Sequence, residues 1–439
     1  MTVAVTTKSG KTVALRSGRR SLWIALTLTL LMSAGLFLRL QLARERSLEM
    51  SGALRLVGDE TNYERLAGDF LQGSFFQWPG RVPVYPLFIA ATYYALGERS
   101  PTKLLYVQAF IGVLAVPLTY VLARRFTGNL PALGAAGIVA LDDPLVEHTR
   151  QIYAEVLYTP MLLVVLLLLL QALQLPKLRR FGWAGASMAI LTLCRPTTAL
   201  FPLLLPALMP RAWSVKQKFG AFAVYGLAMA AVIAPWTYHN WRTYHRILPL
   251  SVSTGVIWQG SPEFYRLTQN HRNHLDIWAN ELNPEKNGGH DPFSIDGDQY
   301  FNQRGLRSII SEPGLYIEYS LKKIGYLWVG NPAAEWGYFA LYDWQTMRAW
   351  FPYSSFKLFS MFMTRQLPLV ALAALMFLVV RGRSRPLLPF IVVCGYFTLV
   401  HMLTWAEMRY SEPLHPLLAI IVVMAGEELF GRVPAKATR

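Results

Sequence analysis

Apolar residues in this chain fall in long runs rather than at the spacing of a half-buried helix or strand. Positions 24–38 hold no charged residue, and neither do 156–175. A helix needs roughly 20 mostly apolar residues to cross a bilayer. Segments of that character lie near 21–43, 102–123, 127–141, 156–175, 182–194, 198–210, 219–236, 359–380, 386–404 and 413–429. They predict an all-α polytopic membrane protein with about ten transmembrane helices. The run 82–96 is also apolar, but it has 15 residues and contains Pro83 and Pro86. It reads as a helix lying in, or dipping into, one leaflet.

The connectors alternate in charge. Nineteen of the 42 Lys and Arg residues sit at the N-terminus and in segments 124–125, 177–180, 211–218, 381–385 and 432–439, which hold no Asp or Glu. Positive-inside bias places these six segments, and so both termini, in the cytoplasm. The first helix reads as uncleaved, because no small-x-small cleavage site follows it. The acid-bearing connectors are then external. This divides the chain into an N-terminal transmembrane module, 1–236, with external loops 44–101 and 142–155. An external loop domain with an interfacial aromatic segment follows over 237–357, and C-terminal transmembrane helices over 358–439. Within the loop domain, Asp298 followed by Leu306, Ile309 and Ile310 predicts a capped amphipathic helix. Trp328, Trp336, Tyr342, Trp344 and Trp350 mark a membrane–water interface.

Composition agrees. The chain is 53% hydrophobic, 15% charged and has a mean hydropathy of +0.30, against about 25% charged residues in a soluble domain. The net charge of +16 is largely a topology signal, not a nucleic-acid footprint. Cys194 and Cys394 offer neither a disulfide framework nor zinc spacing. Phosphate-loop, dinucleotide and serine-hydrolase motifs are all absent.

Candidate chemistry gathers on the external side. Asp59 and Glu60 follow the first helix, and Glu155 opens the fourth. Acids beside an apolar phase resist ionisation unless a cation is near, so such placements often mark a functional site. The plainer alternative is that Asp59 caps a helix starting near Thr61 and Glu155 pairs with Arg150. Asp142 and Asp143, before Pro144, read as turn residues. Arg81 and Arg409 suit a phosphate, whose oxygens a planar guanidinium binds in pairs, or else they snorkel. Arg195 is either a turn residue or a ligand for a buried anion. His271 and His274 are spaced for a metal only if helical, and a solvated pair is the simpler reading.

In order, Gly58-Asp59-Glu60-Thr61-Asn62-Tyr63, Gly80-Arg81-Val82-Pro83-Val84-Tyr85-Pro86, Arg150 with Glu155, Arg195-Pro196-Thr197, Ala234-Pro235-Trp236 with Asn240, and Arg409-Tyr410 with Pro413 and Pro416 form a pattern. It resembles the GT-C superfamily of membrane glycosyltransferases, in particular the bacterial group related to protein O-mannosyltransferases and lipid A aminoarabinose transferases. Two departures are Glu155 where the mannosyltransferases usually have Asp, and a missing His-Pro-Pro stretch. The resemblance implies a GT-C-like helix bundle with external juxtamembrane helices, in a cytoplasmic (inner) membrane. It also implies inverting transfer of a sugar from a polyprenyl-phosphate donor to a glycan, lipid or protein hydroxyl at the extracytoplasmic face. Asp59 would be the base, with Glu60 and Glu155 orienting the acceptor. Arg81, Arg409 and, more weakly, Arg195 would hold the donor phosphate, and Tyr63, Tyr85, Arg150 and Asn240 would line the substrate. A divalent metal ion held by Asp59 and Glu155 is the one cofactor left open. The rival functions are a transporter or flippase of an anionic or lipid-linked substrate, and a membrane scaffold. A transporter would place charges near the midplane between inverted repeats, whereas here they gather at one face.

Overall fold

The computed structural model describes residues 9–51, 56, 58–270, 283–330 and 366–431. Helices are the regular structure throughout these residues. A bilayer demands this, because each backbone N–H and C=O must find its partner inside the segment. In chain order they are α1 (Ser9–Ser51), α2 (Asp59–Leu71), α3 (Val84–Leu96), α4 (Pro101–Gly112), α5 (Ala115–Ala123) and α6 (Asn129–Ala140). Next come α7 (Asp143–Glu147), α8 (Glu155–Gln174), α9 (Leu178–Thr192), α10 (Leu205–Leu208) and α11 (Val215–Tyr244). The rest are α12 (Val256–Gln259), α13 (Pro262–Asn270), α14 (Ile295–Ser311), α15 (Pro313–Trp328), α16 (Leu367–Val380), α17 (Leu388–Leu403) and α18 (His415–Phe430).

Six stretches among the described residues are long and apolar enough to cross a membrane: Ser21–Met50, Pro101–Ala123, Glu155–Gln174, Val215–Tyr244, Arg385–Leu403 and Met408–Phe430. The chain is a multi-pass membrane protein. Several segments expected as spans are shorter than that. The run 127–141 yields the 12-residue α6, and 182–194 lies in the 15-residue α9. The run 198–210 is a chain of short turns, because Pro196, Pro202 and Pro206 each remove a helical N–H. The α3 helix has 13 residues, about 20 Å of axial rise, too little to cross alone. Two helices run past their expected ends. The α1 helix continues to Ser51, so Arg46 and Glu49 sit on it and not in a loop. The α11 helix passes through Pro235 to Tyr244 and carries Asn240.

The two ends of the bundle differ in charge. At one end, the α18 residue Glu427 accepts the Gly128 N–H at 3.1 Å, and Glu428 lies 3.5 Å from Arg381 and 3.4 Å from Arg383. The basic connectors 124–125 and 381–385 therefore share that end. At the other end, the start of α8, the segment before α18 and the close of α1 meet α2.

Packing depends on small residues, the usual means by which membrane helices approach closely. On α9, a Cβ at Gly185 would lie 2.2 Å from the Tyr225 carbonyl oxygen of α11. Beyond the bundle, Trp258, Phe264 and Phe301 form a separate small core. The α14 helix is capped by Ser294, whose hydroxyl accepts the Gly297 N–H at 3.0 Å, and not by Asp298. Asp298 lies one turn further in and accepts from Ser253 and the Gly255 N–H at 2.7 and 2.8 Å. Leu306 and Ile310 are exposed, so the packed face is instead Gly297, Phe301 and Gly305. Lys323 of α15 is fully buried and donates to the carbonyls of Gly260 and Thr404 at 3.0 and 2.7 Å, joining this region to the end of α17. Trp328 donates to Thr398 at 3.0 Å. Trp336, Tyr342, Trp344, Trp350, His271 and His274 lie outside the described residues.

Gly185→Ala should force α9 away from α11 at a cost of about 1–3 kcal/mol. A melting temperature in detergent several degrees below wild type would show this; an unchanged one would mean that the helices are not in contact there.

Candidate active site

The centre of the charged end is Asp59, the first residue of α2. Gly58, at φ 55°, turns the chain into the helix in a conformation that favours glycine. Asp59 is not a side-chain cap. One carboxylate oxygen binds the Arg81 guanidinium, and the other lies 3.2 Å from Arg409. Burial alone would raise its pKa, but Arg81, Arg409 and Arg195 outweigh it and hold it down to about 2. About 30% of its side chain remains accessible.

Three separated segments deliver the arginines. Arg81 lies in the bend before α3, whose first N–H, that of Val84, donates to the Leu193 carbonyl at 3.0 Å. That contact ties Arg81 to the end of α9, where Arg195 follows. Pro196 keeps Arg195 out of helical geometry, at φ −147°, ψ 129°, and its side chain meets Glu155 at 2.5 Å. Arg409 precedes α18 and also pairs with Glu407 at 2.6 Å. Aromatic rings back the guanidiniums: Arg81 lies over Tyr63 at 5.5 Å, Arg195 over Tyr410 at 4.9 Å, and Arg409 over Tyr153 at 5.3 Å.

The other sequence-level candidates are placed as follows. Glu155 opens α8, is buried, and pairs with Arg195 and not with Arg150. Glu60 is buried between Arg46 at 3.2 Å and the Ile152 N–H at 3.1 Å, which ties α2 to α1 and to the 142–154 connector. Arg150 pairs with Glu49. Tyr63 packs edge-on against Tyr85 at 4.8 Å, and the Tyr85 hydroxyl bonds Gln108. Asn240 is brought elsewhere: its amide donates to the Leu248 and Leu250 carbonyls at 2.9 and 2.8 Å, closing the turn after α11. No group of three or more His, Cys, Asp or Glu side chains poised for a metal occurs among the described residues. Asp59 and Glu155 each face guanidiniums, so this donor set does not fit a divalent cation as arranged.

Sequence reasoning missed a pair of cross-links behind the site. Asp142 does cap α7, accepting the Leu145 N–H at 3.0 Å, but its other oxygen lies 2.9 Å from His415 Nδ1. Reciprocally, His148 Nε2 lies 2.5 Å from Glu412. Both pairs are buried and pin the 142–148 connector to the start of α18, on which the position of Arg409 depends. Burial pushes the His148 pKa down, but the Glu412 carboxylate outweighs this and raises it above the ordinary 6.5. The signal was the local repetition of His and acid near Pro144 and Pro413, but each partner lies far away in sequence.

Sequence comparison matches residues 80–239 to a family described as dolichyl-phosphate-mannose-protein mannosyltransferase. No curated protein matches the sequence. Among solved structures, the apo oligosaccharyltransferase of Archaeoglobus fulgidus superposes with a TM-score of 0.54 at 14% identity, over 93% of this chain and 50% of that one. The same enzyme in complex with Zn and sulfate gives 0.52 at 14% identity, over 92% and 49%. ArnT from Cupriavidus metallidurans, bound to undecaprenyl phosphate, gives 0.42 at 14% identity, over 93% and 78%. The chain spans about half the length of the oligosaccharyltransferase. Its helical fold is shared with these oligosaccharyltransferase structures. The family match falls on the stretch from the Arg81 bend into α11.

His148→Ala breaks a buried pair and should lower stability by about 3–5 kcal/mol. Because the folded-state pKa of His148 is raised, its contribution is complete below pH 6.5 and is lost as pH climbs through the raised value. Melting curves across pH should therefore show the gap between wild type and variant narrowing at alkaline pH; a constant gap would assign His148 a packing role only.

Proposed function

We propose that the chain transfers a single sugar from a polyprenyl-phosphate donor to an acceptor hydroxyl, with inversion at the anomeric carbon. The reaction is assigned to the extracytoplasmic face of the inner membrane, with both termini cytoplasmic. The observation that carries this reading is the partly accessible Asp59 carboxylate flanked by Arg81 and Arg409 at one end of the bundle. A hydroxyl attacking the anomeric carbon must lose its proton, and a positioned carboxylate can take it. The new bond joins the acceptor oxygen to that carbon as the bond to the phosphate oxygen breaks. The leaving group is a lipid phosphate that is already anionic, so it needs fixed positive charge and no general acid.

The residues divide these tasks by accessibility. Asp59 is the base, because Glu155 is only 4% exposed and Glu60 only 2%. Glu155 sets the position of Arg195, and Glu60 holds α2 in place. Arg81 and Arg409 receive the phosphate, with Arg195 next in line behind them. Tyr63 and Tyr85 pack beneath this arrangement, and Arg150, paired to α1, borders the approach for the acceptor. Glycan, lipid and peptide hydroxyls all meet the chemical requirement.

Purified protein supplied with a polyprenyl-phosphate sugar and an envelope-derived acceptor mixture should release polyprenyl phosphate. Asp59→Asn should reduce that turnover by about 10²–10⁴-fold while melting as a folded protein. Near-normal turnover in the folded variant would remove Asp59 as the base.

A further inference from the structure

The guanidiniums assigned to the donor are not idle in the free protein. Arg81 holds one oxygen of Asp59, and Arg409 lies 3.2 Å from the other and 2.6 Å from Glu407. Arg195 lies 2.5 Å from Glu155. Three arginines thus face three carboxylates, and the site is balanced in charge before any donor arrives. All three side chains are mostly buried, at 16–17% accessibility. Among the described residues, Arg81 also keeps a buried Nε–H without a hydrogen-bond partner, a donor available to one more oxygen.

We propose that the donor phosphate and the site carboxylates compete for the same guanidiniums, so that the free site is latched and donor binding releases Asp59. The inference rests on the function proposed above and adds an order of events to it. A phosphate arriving at Arg81 and Arg409 draws their N–H groups from Asp59, because each guanidinium has a limited set of donors aimed in one plane. While clamped, Asp59 is held to a pKa of about 2, too acidic to accept a proton readily near neutrality. Losing its guanidinium contacts to the phosphate makes it more basic. The base is therefore active only when a donor occupies the site. Without a donor, a water or acceptor hydroxyl at Asp59 meets a carboxylate that is already bound. The same competition operates between Glu155 and the phosphate at Arg195.

The test exploits a consequence that a passive base would not produce: deleting the carboxylate should improve donor binding. Wild type, Asp59→Asn and Glu155→Gln are reconstituted in nanodiscs, checked for folding by melting curves, and titrated with undecaprenyl phosphate, with undecaprenol as the neutral control. Each folded variant should bind undecaprenyl phosphate about tenfold more tightly than wild type, since a competing charge-assisted contact has been removed. Undecaprenol should show no gain. Should one variant misfold, the other carries the test. Unchanged or weaker phosphate binding in the folded variants overturns the latch and leaves the proposed transferase intact. Failure of wild type and of both variants to bind undecaprenyl phosphate at all removes the latch together with the donor assignment.

Discussion

A carboxylate next to an apolar phase keeps its charge only if a cation stands beside it, and this requirement organises the charged end of the molecule. Asp59 has Arg81 and Arg409, Glu155 has Arg195, Glu60 has Arg46, Glu49 has Arg46 and Arg150, and Glu407 has Arg409. Few of these pairs are local. Asp59 and Arg409 are separated by 350 positions, so they meet only when the first and last parts of the bundle are packed together. Folding and assembly of the site are in that sense one event.

The same constraint explains the surrounding architecture. Proline-bearing bends, not helix interiors, present Arg81, Arg195 and Arg409, so their side chains turn toward the end of the bundle instead of toward lipid. Helix N-termini present Asp59 and Glu155, where the partial positive charge of unpaired N–H groups favours an anion. Behind them, the His148–Glu412 and Asp142–His415 pairs fix the 142–148 connector against α18. Weakening those pairs would shift Arg409 relative to Asp59 without touching either residue.

Much of the architecture was readable from the residue order, because long apolar runs and one-sided basic connectors are strong physical signals. Helix ends were less so. The α1 and α11 helices extend past the apolar boundary because polar residues such as Arg46 and Asn240 find partners there, and hydropathy does not register that. The proline-rich run 196–208 is as apolar as a span, yet Pro202 and Pro206 break it into short turns. The individual acids and arginines also stood out, but their pairing did not. Arg150 and Glu155 look like natural partners at five-residue separation. The chain, however, leaves helical geometry at Gln151 (φ −122°, ψ 153°), which carries Arg150 toward Glu49 and leaves Glu155 to Arg195. The histidine pairs were invisible because nothing local links position 148 to position 412.

The convergence of Asp59 with Arg409 is tested most directly by a double-mutant cycle on stability, comparing Asp59→Asn, Arg409→Gln and the combined variant by thermal unfolding in nanodiscs. Residues in contact within one ion-pair network couple by about 0.5–3 kcal/mol. The account predicts a coupling in that range, with the combined variant less damaged than the sum of its parts. Strict additivity would place the two residues apart and contradict it.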